Sequence, residues 1–322
     1  MMFQMIMRRL GIGVVTLIVV SVLMFAGTEI LPGDVAEIML GQEATPESLK
    51  ALRAELGLNK SAPLRYFEWL GDMATFDLGM SLAGRGNGGG GTTIDVLITD
   101  RLKNTLLLSS IVAAIAVPIS LILGLAAAMF PASLYDRVVT FTTLCLVAVP
   151  EFFIATMLVL ILAVNMKLLP AIATMTDFDS VWHMLRSLAM PILTLVVVLL
   201  AQMARMTRAA VLNVMSSPYI EMAILKGVPR TRIILRHALF NAIGPIVNII
   251  AVNIAYLVSG VVIVETIFAF PGLAKLMVDG VQVRDMPLVQ ACGMIFCGTY
   301  VLLILLSDIA SIVSNPRLRH PK

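Results

Sequence analysis

The stretch SPYIEMAILKGVPRTRIILRHALFNAIGPI, residues 217–246, is a polar, arginine-rich interruption in an otherwise apolar chain. Pro218 suits the first position of a helix, and apolar residues recur on one helical face as far as Ile224. Gly227 stands where this helix would end, and Pro229 suits the start of another. The pattern predicts two short helices that are joined at a tight glycine turn and face water.

The composition around this stretch is that of an integral membrane protein. Of 322 residues, 59% are hydrophobic and only 13% are charged, with a mean hydropathy of +0.96, values that exclude a soluble globular domain. The net charge of +3 is too small to indicate nucleic-acid binding. Six apolar runs reach the roughly 20 residues that a membrane-spanning helix needs: 10–31, 105–130, 138–169, 188–206, 238–264 and 288–313. We therefore expect an all-α membrane protein with six transmembrane helices.

The distribution of basic residues sets the expected orientation. They concentrate at the N-terminus, in the loop 205–237 and at the C-terminus: Arg8 and Arg9; Arg205, Arg208, Lys226, Arg230, Arg232 and Arg236; and Arg317, Arg319 and Lys322. Because cytoplasmic loops are enriched in lysine and arginine, these three segments, and with them both termini, are expected in the cytoplasm. The chain then divides into an N-terminus with the first span (1–31), an extracytoplasmic loop (32–103) and a membrane core (104–322). On composition alone, the loop 205–237 has a second interpretation, as a basic segment that only fixes the topology.

The extracytoplasmic loop is expected to contain short helices and a glycine-rich linker. Thr45 and Pro46 form a helix start, and aromatic residues cluster at 63–73. Residues 84–93, GRGNGGGGTT, match G-x-G-x-x-G by letter, but neither a strand nor a helix start flanks them, so no dinucleotide site is indicated. No G-x-x-x-x-G-K-[ST] occurs in the sequence. Any ATP that drives this protein is therefore expected to bind another subunit.

Polar side chains within the apolar runs are candidates for a translocation path, because ionised groups are costly in the bilayer. Pro150 and Glu151 interrupt the third run, where we expect a kink with Glu151 turned away from lipid. Asn253 and Tyr256 are three residues apart and share a helical face. Each has a structural alternative: Glu151 as a carboxylate bound to a neighbouring helix, and Asn253 and Tyr256 as side chains that join helices.

Catalytic, metal and disulfide chemistry are not indicated. Three cysteines lie in apolar runs without metal-ligand spacing, and three histidines are scattered without an H-E-x-x-H or G-x-S-x-G motif. A secondary transporter is less favoured, because the two halves show no convincing internal repeat. The chain is expected not to be an enzyme and to carry no cofactor or metal of its own.

The stretch 219–232 resembles the EAA loop of ABC importer permeases, whose pattern is a glutamate, two small residues and, six positions after the glutamate, a glycine. Glu221, Ala223 and Gly227 match it, Met222 replaces the usual first alanine, and Pro245 is similar to the later proline of the dipeptide, oligopeptide and nickel branch. In that family the loop forms a coupling helix that docks on an ATPase subunit. The resemblance implies this role for Tyr219, Glu221, Ala223, Lys226, Gly227, Arg230 and Arg232.

The stretch 264–290, VETIFAFPGLAKLMVDGVQVRDMPLVQ, closely resembles the corresponding stretch of dipeptide and oligopeptide permeases. In those proteins this region helps to form an outer gate that meets a substrate-binding protein. The resemblance implies this role for Glu265, Phe268, Pro271, Gly272, Arg284 and Asp285.

The resemblance also implies an architecture and an assembly. The expected fold is that of a type I ABC importer permease in the bacterial inner (plasma) membrane. Its partners would be membrane lipid, a second homologous permease subunit, two cytoplasmic ATPase subunits that bind ATP and Mg²⁺, and an extracytoplasmic substrate-binding protein. The expected function is to form half of a path for di- and oligopeptides, although the same architecture serves nickel chelates, opines, glutathione and oligosaccharides.

Overall fold

The computed structural model describes residues 2–30, 36, 45–55, 57–82, 92–175, 180–259 and 261–314. The regular structure of these residues is helical, and an isolated antiparallel bridge pairs Met80 with Thr93. Most of the predicted glycine-rich linker and the basic residues of the C-terminal tail lie outside the described residues.

Thirteen helices of six or more residues, numbered here in chain order, account for most of the described chain. The first half contains α1 (Met2–Ile30), α2 (Pro46–Glu55), α3 (Ala62–Ala74), α4 (Ile94–Met129), α5 (Leu134–Ala148) and α6 (Glu151–Leu158). The second half contains α7 (Val181–Ser187), α8 (Ala189–Met215), α9 (Pro218–Leu225), α10 (Leu239–Ser259), α11 (Val262–Ile267), α12 (Leu273–Gln282) and α13 (Met286–Ser314). Two π-helical segments, Val159–Asn165 and Ile233–Ala238, continue α6 and precede α10.

Five helical segments of the described chain are long and apolar enough to cross a membrane, and a sixth is present if one bent pair counts as a single span. The five segments are Gln4–Ile30, Ile94–Met129, Ala189–Met215, Leu239–Ile267 and Met286–Ser311. The bent pair corresponds to the third predicted run. The prediction of an all-α membrane protein with six apolar runs of spanning length is confirmed, with one run broken.

The break in the third run is sharper than the predicted kink. α5 and the helix that starts at Glu151 meet at an angle of 95°. Val149 and Pro150 between them have extended backbone, with ψ of 125° and 142°. Because proline has no N–H and its ring clashes with the preceding turn, an uninterrupted helix through Pro150 is disfavoured. The residue before a proline is also pushed towards an extended conformation, which adds Val149 to the break.

One compact unit comprises Met1–Gly13, Leu106–Phe270 and Thr299–Lys322. α8 lies at its centre and packs against α5, α6, α10 and α11. The fully buried side chains of α8 include Met190, Leu195, Leu199 and Met203. α4 approaches α8 closely at Gly124, where an added Cβ atom would lie 2.6 Å from the carbonyl oxygen of Ala204. Gly124 thus allows backbone contact between two membrane helices, as small residues commonly do.

The second compact unit comprises Val14–Thr105 and Pro271–Gly298. Its aromatic cluster joins α3 to α1, because the ring of Phe25 lies 5.5 Å from that of Tyr66 and 5.9 Å from that of Trp69, measured between centroids. These are ordinary distances for edge-on and tilted aromatic pairs. The predicted aromatic helix at 63–73 is therefore present, as α3, and its aromatic side chains pack on the first span.

Candidate functional site

The segment that resembles a coupling loop begins with α9. Ser217 has extended backbone before the helix, and Pro218 occupies a first-turn position, where its missing N–H costs no hydrogen bond. Ile220 is fully buried and anchors the helix on its own chain. Three other apolar side chains of the helix are exposed: the exposed fractions are 54% for Met222, 55% for Ile224 and 80% for Leu225.

α9 ends in a Schellman motif that requires a glycine. The N–H of Gly227 donates to the carbonyl of Ile224 at 2.9 Å, and the N–H of Val228 donates to that of Ala223 at 3.1 Å. Gly227 has φ of +73°, a left-handed conformation that glycine adopts without a steric penalty. An added Cβ atom at Gly227 would meet no atom of this chain within 4 Å. The glycine is needed for its backbone conformation, not for space within the chain.

The polar residues of this segment lie mainly on its surface. Glu221, Lys226 and Arg232 are exposed, while Tyr219 and Ala223 are half-buried. Arg230 begins the helical turn Arg230–Arg232, and its side chain lies outside the described part of the chain. The predicted glycine turn and first short helix are present.

The helix after the turn differs from the prediction, because it is not a separate short helix. The turn Arg230–Arg232 continues through the π-helical segment Ile233–Ala238 directly into α10. α8 extends to Met215 and includes Arg205 and Arg208, so the first part of the predicted loop 205–237 is helical. Arg205 lies at the end of the apolar run 188–206 and Arg208 two residues after it, and no polar break separates them from the loop.

Two of the predicted path residues contact each other in the first unit. The Tyr256 hydroxyl, on α10, donates a hydrogen bond to the carboxylate of Glu151, the first residue of α6. Both side chains are half-buried. Asn253 is buried and donates to the carbonyl of Ile249 in its own helix at 2.7 Å. The Glu151–Tyr256 contact places a carboxylate at the break in the third run, held by a second helix.

The predicted outer-gate residues fall into both units. In the first unit, Glu265 on α11 and Phe268 directly after it are fully buried. In the second unit, Gly272 precedes α12 and Arg284 lies in the turn between α12 and α13, with φ of +57°. The carbonyl of Pro271 accepts a hydrogen bond from the side-chain amide of Asn104 at 2.9 Å.

Asp285 connects two parts of the second unit. It is fully buried, and its carboxylate accepts hydrogen bonds from the Ser81 hydroxyl at 2.5 Å and the Leu82 N–H at 2.9 Å. It also accepts from the Leu288 N–H at 3.3 Å, which caps the start of α13. A buried carboxylate needs such donors to offset its lost hydration. Asp285 therefore joins Ser81 and Leu82 of the long loop to the turn before the last span.

Sequence reasoning missed an ion pair between Asp136 and Arg208. Asp136, near the start of α5, accepts hydrogen bonds from the Arg208 guanidinium of α8 at 2.5 Å and 2.8 Å. The local signal was Ser133 followed three residues later by an acidic residue, a helix-capping pattern, and Ser133 does accept from the Asp136 N–H at 3.1 Å. The partner lies 72 residues away in sequence, so no local pattern could indicate it.

The fold and sequence together define a helical permease component of the inner membrane. The chain belongs to the family of binding-protein-dependent transport system inner membrane components, whose family profile matches residues 116–320. A profile for the N-terminal part of such components matches residues 2–84. The protein is thus a multi-pass inner-membrane transport component, and the family recognised from the EAA-like loop is confirmed.

Curated relatives match over their whole length. The dipeptide transport system permease protein of Escherichia coli K12 is 32% identical over 350 aligned positions, which cover 100% of both chains. A Brucella melitensis protein named for a peptide transport system permease is 33% identical and covers 99% of this chain and 100% of its own. A Sinorhizobium fredii protein, named for a peptide ABC transporter permease, is 31% identical over 98% and 99% of the two chains.

Proposed function

We propose that this chain is one permease subunit of an ATP-driven importer of di- and oligopeptides. The observation that carries the proposal is the end-to-end similarity to relatives named for peptide transport. The chain would form half of the translocation path together with a second homologous permease subunit. A substrate-binding protein on the outer side would deliver the peptide.

The proposed energy source lies outside this chain. No phosphate-binding loop occurs in the sequence, so ATP and Mg²⁺ would be held by two cytoplasmic ATPase subunits, and this chain would carry no cofactor. Support comes from the exposed apolar face of α9, formed by Met222, Ile224 and Leu225. In water such a face is a candidate protein contact. We propose that this face docks in a groove of an ATPase subunit, and that Glu221, Lys226 and Arg232 form the polar rim of the contact.

The proposed orientation places the coupling loop in the cytoplasm, as the loop charges favour. Both termini would then be cytoplasmic, and α3 and α12 would lie outside. A reporter enzyme that is active only outside the cytoplasm should be active when fused after Asp72 or Asp279. The same reporter should be silent when fused after Lys226. Activity at Lys226 would reverse the orientation and remove the basis for docking on a cytoplasmic ATPase.

The proposed path and the proposed gate use different residues. The Glu151–Tyr256 pair would border the path at the break in the third span, and Asn253 would support α10 from within. At the outer end, Pro271, Gly272, Arg284 and the buried Asp285 would form the part of the gate that meets the binding protein.

The function is tested by reconstitution of the complete complex in proteoliposomes with radiolabelled dialanine. We expect uptake that requires ATP, both ATPase subunits and the binding protein. Uptake of a nickel chelate or an oligosaccharide in place of peptides would change the substrate but keep the mechanism. Uptake that is independent of ATP would refute the proposed mechanism.

Docking is tested in the same complex with Leu225→Asp, which places a charge in the exposed apolar face. We expect the ATPase subunits to dissociate and uptake to stop. The matched control is Asn213→Asp, because Asn213 is also exposed, lies near the loop and gains the same charge outside the apolar face. An equal loss of bound ATPase subunits in both variants would show that the added charge acts generally and not through a docking surface.

A further inference from the structure

The ion pair between Asp136 and Arg208 lies close to the coupling loop along the chain. Arg208 is two helical turns before the end of α8 at Met215, where the loop begins. The Asp136 side chain is only 5% exposed and that of Arg208 26% exposed. Both carboxylate oxygens of Asp136 are bonded by the guanidinium, the bidentate geometry that makes arginine–carboxylate pairs strong and directional.

Asp136 is held on its own side by additional bonds. One carboxylate oxygen accepts from the Ala132 N–H at 2.9 Å, and the other accepts from the Thr140 hydroxyl at 3.4 Å. The turn between α4 and α5, the first turn of α5 and the last part of α8 are therefore tied at one point. If α1 and α4 each cross the membrane once, this turn lies on the same side as the N-terminus and, in the proposed topology, as the coupling loop.

α5 connects this tie to the candidate path. It contains 15 residues, which is about 22 Å of helix, and it packs along α8. Its far end is the break at Val149 and Pro150, which is followed by Glu151 with its bond from Tyr256. Because α5 is held by the ion pair at its start and followed by the break at its end, a displacement of its start would move the break and Glu151.

A contact route from the loop to Arg208 also exists. α9 contacts the π-helical segment Ile233–Ala238, and this segment contacts both α8 and α10. Val211 of α8 and Ala238 of this segment belong to one buried cluster, so a displacement of α9 by a docked partner would reach α8 within one helical turn of Arg208. A chain of contacts couples two sites only if its elements move together. The ion pair is the contact that makes the start of α5 move with α8.

We propose that Asp136 and Arg208 are positioning residues for transport, which fix the start of α5 to α8 so that movement of the coupling loop reaches Glu151 and Tyr256. This inference rests on the proposed function, because it assumes that the loop receives its displacement from an ATPase. The pair itself contacts neither substrate nor nucleotide in this scheme. Its loss should uncouple ATP hydrolysis from uptake.

The experiment uses the reconstituted complex with its binding protein and radiolabelled dialanine. The variants are Asp136→Asn, Arg208→Gln, the double variant, and the charge exchange Asp136→Arg with Arg208→Asp. Uptake and ATP hydrolysis are both normalised to the amount of permease that is inserted and bound to ATPase subunits. The matched control is Asp100→Asn, which removes an ion pair with Lys103 whose side chains are 77% and 71% exposed.

We expect each single variant to import about two- to thirty-fold less dialanine per ATP hydrolysed, while Asp100→Asn is unchanged. The double variant should be no worse than either single variant, because the same contact is lost in all three. The charge exchange should recover part of the ratio of uptake to hydrolysis. Recovery of this ratio would show that coupling depends on the ion pair and not on either residue alone.

Two results would overturn the inference. One is a fall in inserted permease with an unchanged ratio of uptake to hydrolysis, since removal of one partner of a buried ion pair also destabilises a fold. The other is additive loss in the double variant without recovery on charge exchange. Failure of the proposed function is separable, because the wild-type complex would then show no ATP-dependent uptake at all.

Discussion

Gly227→Ala tests whether the backbone conformation of the coupling turn matters for the docked state. Gly227 has φ of +73°, and no atom of this chain lies within 4 Å of an added Cβ atom. The substitution therefore adds strain without a steric clash. A left-handed conformation costs a non-glycine residue about 1–2 kcal/mol. If the free loop relaxes into another conformation, the docked complex bears this cost, and affinity for the ATPase subunits falls by about 5- to 30-fold.

The assay is retention of ATPase subunits on purified permease in detergent, titrated over ATPase concentration, together with binding-protein-stimulated ATP hydrolysis after reconstitution. Gly227→Asn is informative beside the alanine variant, because asparagine tolerates left-handed backbone better than other residues with side chains. If conformation alone is limiting, Gly227→Asn should retain more ATPase than Gly227→Ala. If a partner backbone lies against the glycine, Gly227→Asn should retain less ATPase than Gly227→Ala.

The matched control is Gly79, which has the same φ of +73° and also no atom within 4 Å of an added Cβ. Gly79→Ala introduces the same strain in the loop on the proposed outer side, so ATPase retention should not change. Full retention and full stimulation in Gly227→Ala would refute the reasoning. An equal loss in Gly79→Ala would show that strain acts through global stability and not through docking.

Three further predictions concern packing and buried polar groups in the membrane region. Gly124→Ala should lower the thermal stability of the detergent-solubilised protein by about 1–3 kcal/mol, whereas Gly298→Ala, which meets no atom within 4 Å, should not change its Tm. Glu151→Gln should keep an acceptor for the Tyr256 hydroxyl and retain uptake of dialanine. Glu151→Leu should leave that hydroxyl without an acceptor, which costs about 1–3 kcal/mol, and should reduce uptake. Equal uptake by the two variants would leave Glu151 only a structural role. Asp285→Ala removes the carboxylate that accepts from Ser81, Leu82 and Leu288. The variant should have a Tm lower by several degrees, and its adjoining loop should become sensitive to limited proteolysis. An unchanged digestion pattern would contradict the anchoring role of Asp285.

The helices and turns that could be predicted are those whose cause is local. Apolar runs of spanning length need no partner to be recognised, because the bilayer imposes the length. The break at Pro150 and the turn at Gly227 follow from the backbone restrictions of single residues. Even so, the angle of 95° at Pro150 was not predictable, since it is set by packing of α5 and α6 on α8.

The contacts of the candidate site could not be predicted, because their partners are distant in sequence. Glu151 and Tyr256 were both named as path residues, but their hydrogen bond joins positions 105 residues apart. From the sequence, Arg208 indicates only the topology, because its acceptor Asp136 belongs to another helix. α8 runs beyond the apolar run 188–206 for the same reason: the ion pair satisfies a charged side chain in the last turns of the helix, so charge does not mark where the helix ends.

The π-helical segment Ile233–Ala238 affects how this protein should be aligned with other permeases. A π-helical turn bonds residue i to i+5 and so contains one more residue than an α-helical turn. Deletion of one residue within the segment would restore an α-helix and leave both flanking registers intact. The same deletion within α10 would rotate every following side chain by about 100° around the helix axis. A gap opposite a shorter permease therefore belongs in residues 233–238, between the coupling turn and Pro245, and a gap placed further on would assign the face that carries Tyr256 to the wrong residues.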